Sequence, residues 1–251
     1  MLDAAELHFN EDIARARALL DHARTLPAGS LRDDVLRSVC MLAVGACDAF
    51  YSDAYADLLA RTLQAKQIQP AVPIPDRVNR LKIPVIAVIR QSKGGWRWRM
   101  AARELIEDEN VLAIEKIKSL FNQFFASGRK LLTAETIEAW IEHPQAKQRM
   151  FGIGRASYRG LAAGARGQAK TQAIKKLEVL FNNTFQRRHD CIHNCDRPKM
   201  ALQSITDTFA QKRIEDITFL VDRCKDELRR EFPAYLRRLG FSGVTRNRVG
   251  A

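Results

Sequence analysis

Apolar residues return at three- and four-residue steps along most of the chain, the spacing that gives a helix one buried face. Phe9, Ile13, Ala16 and Leu20 set this rhythm over residues 3–26, and Leu26-Pro27-Ala28-Gly29 ends it. Ser30 as N-cap and Asp33 as a first-turn acid predict a second helix over 31–65. Its middle, Val39 to Phe50, is apolar on nearly every side, which places it at the centre of a bundle. Asp48 interrupts that run, and is expected to bond within the bundle or to face a groove or a subunit contact.

The rhythm fails over 66–95, where Pro70, Pro73, Pro75 and Pro84 exclude a long helix. Val85 to Ile89 reads equally as a short strand or a buried helical turn. Lys93-Gly94-Gly95 then forms a hinge into a helix over 97–107, and Leu112, Ile114, Ile117, Leu120, Phe121 and Phe124 predict another over 110–127. Thr133 suits a simple N-cap for a helix reaching 142; Thr136 stands where a capping box takes Glu or Gln. Five glycines and four cations between Gly152 and Lys170 predict a mobile basic connector, helical in part. Helices over 171–186 and 207–232 follow, separated by a break near Pro198, and the tail 241–251 is expected to fray. The pattern predicts an all-α helical bundle: one domain over 1–240, with an irregular insert at 66–170.

Charge adds a partner class. Lys+Arg number 41 against 29 Asp+Glu, a formal +12, which favours a polyanion such as RNA, DNA or an acidic membrane surface. Five cysteines, an odd number, with no signal-peptide pattern at the start, argue for reduced thiols and a cytoplasmic location. No uncharged stretch reaches the ~18 residues of a membrane span, so no membrane is expected.

The densest chemistry lies in Gln186-Arg187-Arg188-His189-Asp190-Cys191-Ile192-His193-Asn194-Cys195-Asp196. Three readings compete. Metal-free RNA cleavage needs a base for the 2′-OH proton, a cation for the charged phosphorane and an acid for the leaving oxygen. Histidine and arginine supply these. Arg188 and His193 lie about 140° apart on a straight helix, so they converge only if the arginine reaches round, if the helix begins between them, or if two subunits pool their groups. In the second reading, His189 and His193 hold zinc at the i, i+4 spacing, with Glu215 as a third ligand. In the third, the polar residues satisfy carbonyls at a helix end and do no chemistry.

The segment resembles the HEPN superfamily, whose mark is Arg, a polar residue, a short spacer and His; Arg188-His189-Asp190-Cys191-Ile192-His193 fits it. Leu42 to Phe50 is similar to the second helix of the RiboL-PSP-type branch, and Arg187 to Pro198 to its "RRNxIVHxxDRP" stretch. The resemblance implies a HEPN-type bundle and a metal-independent endoribonuclease with no cofactor, often a toxin or anti-phage effector. It implies a homodimer with two motifs facing one cleft: Arg188 holds the scissile phosphate, His193 is general base or acid, and His189 assists. An antitoxin or another defence-system protein is a further implied partner. A non-catalytic HEPN module binding nucleic acid or a partner protein remains the alternative. Arg187 and Asn194 flank the motif as RNA contacts, joined by Trp96 for base stacking and by Arg159 and Arg166 in the glycine-rich connector.

Overall fold

A helix buries its apolar face only against another element, and here four long helices do most of that for each other. The computed structural model describes residues 1–80, 82, 94–107, 111–199 and 201–251. Its helices are α1 (Asp3–Thr25), α2 (Ser30–Ile68), α3 (Asp76–Asn79), α4 (Gly94–Glu107), α5 (Ile114–Phe121), α6 (Ala134–Ile141), α7 (Gln148–Phe151), α8 (Arg155–Arg159), α9 (Ala163–Asn194), α10 (Asp207–Arg238) and α11 (Gly243–Arg248), with a 3-10 turn at Asn122–Phe124. No strand occurs among the described residues, and the fold is all-α.

α2, 39 residues long, is the axis. It is buried over most of its length, from Leu36 to Ala65, as its nearly all-round apolar middle requires. α1 runs antiparallel to it: Leu2 N–H donates to Asp57, and Phe9 meets Phe50 edge-on. α10 runs parallel to α2, with the Tyr51 hydroxyl on Cys224 Sγ at 3.1 Å. α9 returns antiparallel, so that Cys40 and Val44 of α2 meet Arg187, Arg188 and Cys191. α2 has no uncharged stretch of spanning length, but with up to two charges allowed an 18-residue window of it is apolar enough to cross a membrane; 56% of that window is buried in the bundle. Core packing accounts for its composition.

Several boundaries differ from expectation for identifiable reasons. Ser30 lies inside α2 and Gly29 is its cap, without a side-chain bond. The helix read as ending at 232 continues through Pro233 to Arg238. Burial of Tyr235 and Leu236 outweighs the lost proline N–H. Residues 163–170 are the opening turns of the 32-residue α9 rather than connector, and Gly164 and Gly167 meet nothing there that a side chain would fill. The tail is held as well. The Ser242 hydroxyl accepts the Thr245 N–H, and Gln69, the residue that caps α2, accepts from both the Ser242 N–H and the Thr245 hydroxyl.

The middle of the chain contributes core rather than decoration. Phe121 and Phe124 pack among Tyr51, Tyr55, Phe232 and Tyr235. Trp140 of α6 meets Phe219 of α10, as does Phe151 of α7. Thr136 takes the reach-back role expected of Glu or Gln, accepting the Thr133 N–H at 3.2 Å. Val85 to Ile89 lies outside the described residues.

Phe124 is fully buried between α2 and α10, and Phe124→Ala is expected to cost about 3–4 kcal/mol in urea unfolding. A loss below about 1 kcal/mol would mean that the middle segment does not share the core.

Candidate functional site

The whole Arg188–His193 segment lies on the last two turns of α9. The helix does not begin between the two residues; it runs through both, so the angular separation read from the sequence stands. Arg188 turns inward and is half-buried, whereas His189 and His193 are exposed. The two imidazoles lie together, ring centroids 4.4 Å apart and planes tilted by 41°. Arg188 and His189 share the rim of a groove of about 440 Å³, completed by Leu112, Ala113, Asn182 and Gln186.

Across from Arg188 stands Asp48 of α2. Burial pushes its carboxyl above the ordinary carboxylate range, and the Arg188 guanidinium acts against that rise. Arg188 forms no hydrogen bond or ion pair with the described residues, which leaves its forked donors available. Cys191 sits beneath the motif, where burial pushes its thiol up to about 11. It is a neutral thiol near pH 7 and a poor nucleophile.

What fixes this helix end is a buried ion cluster. The chain leaves α9 through two consecutive left-handed residues, Cys195 (φ 47°) and Asp196 (φ 60°). The Asp196 N–H closes back on the Asp190 carbonyl at 3.0 Å, capping the helix end through left-handed residues other than glycine. The turn buries the Asp196 carboxylate completely. There it accepts from Arg37 Nε of α2 at 2.8 Å and from an Arg187 guanidinium nitrogen at 2.9 Å. Arg37 also donates to the Gln203 carbonyl, and Arg187 to that of Ser204, which pins the loop toward α10. Burial by itself would depress the Arg37 guanidinium, yet its bonds to Asp196 and Asp34 hold it above its usual value.

Arg187 is therefore engaged inward. Its guanidinium also stacks over Phe209 at 4.7 Å, with Arg213 on the same ring at 5.0 Å. The sequence reading offered Arg187 to RNA; the Asp196 ion pair leaves its side chain only 13% exposed. Arg159 and Arg166 are engaged elsewhere: Arg159 pairs with Glu142, and Arg166 donates to the Leu161 and Arg159 carbonyls. Arg166 is about 33 Å from Arg188 along the helix axis. Neither joins the motif. Asn194 ends α9 with an exposed side chain beside it. Trp96 belongs to α4, but its side chain lies outside the described residues. Glu215, the third ligand of the zinc reading, pairs with Arg149 at 2.7 Å in a groove with Arg17 and Lys147. Among the described residues no three His, Cys, Asp or Glu side chains are arranged to hold a metal.

Known proteins add no relative. No protein-family model matches the chain, and no curated protein or solved structure is significantly similar to it.

Sequence reasoning assigned no role to the Arg37–Asp196–Arg187 cluster. An arginine just ahead of the apolar centre of α2 was the available signal, because an unpaired charge there would be prohibitively costly. Asp196→Ala would leave two guanidiniums facing each other without their shared anion. The expected loss is about 3 kcal/mol of stability, read as a shifted urea midpoint; an unchanged midpoint would show that the cluster ties nothing together.

Proposed function

We propose that the chain is a HEPN-type, metal-independent endoribonuclease that cuts single-stranded RNA at a site completed by two copies. The observation that carries this reading is the division of labour on one helix. A half-buried arginine without a partner among the described residues lines a groove beside an exposed histidine pair. The formal +12 charge supports a polyanionic substrate.

In the proposed reaction Arg188 holds the scissile phosphate through its forked donors and stabilises the charge of the phosphorane. His193 takes the proton from the ribose 2′-OH or delivers one to the leaving 5′-oxygen. His189, stacked against it, orients the ring or shares the proton work. The 2′-oxygen attacks its own phosphate, the bond to the 5′-oxygen breaks, and the upstream product ends in a 2′,3′-cyclic phosphate.

The helix geometry supports a site shared by two copies. With Arg188 and His193 about 140° apart on an unbroken helix, a second chain is the direct way to bring one copy's imidazole to the other's guanidinium. Ile192, 48% exposed and between the two histidines on α9, suits such a contact. A toxin or anti-phage effector role fits this chemistry.

Single-stranded RNA is expected to be cut in EDTA, leaving 2′,3′-cyclic phosphate ends detectable by end-labelling. Arg188→Ala and His193→Ala should each slow cutting by at least about 100-fold, while Arg159→Ala changes it little. Unimpaired cutting by both motif variants would refute the reading. Salt-sensitive RNA binding with no cleavage between about pH 5 and 9 would instead identify a non-catalytic binding module.

A further inference from the structure

A second cavity lies toward the far end of α2 from the motif. Arg61 and Gln64 of α2, Arg99 of α4, and Asn247 and Arg248 of α11 line a pocket of about 460 Å³, with Asp57 at its base. Asp48 and Arg61 are 13 positions apart, so the pocket is about 20 Å along α2 from the level of Arg188. Three arginines and one aspartate give its ionisable lining a formal charge of 3 − 1 = +2.

The wall is built, not incidental. Asp57 is occupied: its Oδ2 accepts from the Leu2 N–H at 3.0 Å and from Arg61 Nε at 2.9 Å. Arg61 Nη1 donates to the carbonyls of Val249 and Gly250, closing the C-terminal turn over the cavity. Gly250 sits at φ +68°, where a Cβ would come within 2.6 Å of Arg61 Nη1. Arg61 thus keeps Nη2 uncommitted, and neither Arg99 nor Arg248 bonds to any described residue. Three sets of guanidinium donors line one cavity, with the amides of Gln64 and Asn247 beside them.

Such an array fits an anion with several charged oxygens spread over a few ångströms, because Arg99 and Arg248 each offer a planar fork to a pair of oxygens and Arg61 adds its Nη2. A single carboxylate would leave most of the donors unused. The volume falls within the range of small-ligand sites. We propose that this pocket binds a di- or triphosphate group. The group comes either from a free polyphosphate compound or from the 5′-triphosphate end of an RNA strand. This inference is independent of the cleavage chemistry assigned to α9.

Inorganic tripolyphosphate titrated into the full chain by calorimetry is expected to bind saturably. Arg99→Glu and Arg248→Glu should each weaken it by at least about tenfold, and His193→Ala should leave it unchanged. Arg248 is exposed and Arg99 only half-buried, so both variants should keep the wild-type melting curve; Arg99→Gln serves as the milder check. Competition then names the source. A short RNA with a 5′-triphosphate that displaces tripolyphosphate, when the same RNA with a 5′-hydroxyl does not, assigns the strand end. Failure of both RNAs to compete assigns a free polyphosphate. Equal competition by both RNAs would overturn the proposal in favour of a backbone-phosphate track. Absence of saturable binding, or binding unchanged in both arginine variants, would end it outright.

Discussion

A carboxylate sealed from water must be neutralised where it sits, and Asp196 meets that requirement with guanidiniums from two different helices. Each end of the cluster belongs to a separate part of the bundle. Arg37 comes from α2, Arg187 from α9, and both also reach carbonyls in the loop that leads into α10. The contact therefore sets how the end of α9 lies against its neighbours. His189, His193 and the inward Arg188 inherit their positions from it, since they sit within the two turns that it fixes. Helical propensity alone could not do this, because the last turn of a helix has unsatisfied carbonyls and frays without a tertiary tie.

The long helices were legible because their signal is periodic burial, and burial is what forms them. Phe9, Ile13, Ala16 and Leu20 all lie in the core as their spacing demands. The middle of the chain was less legible for a physical reason. α5, α6, α7 and α8 are short, and in elements of that length a 3.6-residue period scarcely repeats. Their large aromatics, Phe124, Trp140 and Tyr158, were the better guide to burial. Glycine misled at 164 and 167: it lowers helix propensity without forbidding a helix, and α9 runs through both. The tail misled in the opposite sense. Its anchor, Gln69, is 173 positions from Ser242, a tie that no local pattern announces.

Within the site, the adjacent arginines 187 and 188 look interchangeable in the sequence, yet one helical step of about 100° sends them to different tasks. Arg187 turns to Asp196 and Phe209; Arg188 turns to the groove it shares with His189, where its charge also acts on the Asp48 carboxyl. Choosing between them requires the identity of the neighbouring helix at that level. That depends on the return path of residues 69–162, between α2 and α9. The histidine pair was legible, because i, i+4 spacing on a helix brings two rings together whatever lies around them.

The Asp57–Arg61 pair on one turn of α2 receives the backbone of Leu2 on one side and that of Gly250 on the other. Residues 2 to 250 are thus drawn into a ring clasped at a single point. Loop entropy grows only logarithmically with length, about 0.6 kcal/mol per doubling, so so wide a clasp costs little more to close than one half its span. It still forms only after the intervening helices have condensed. Where assembly completes last, thermal opening starts first, and this seam is the place at which slow amide exchange in the core should give way to fast.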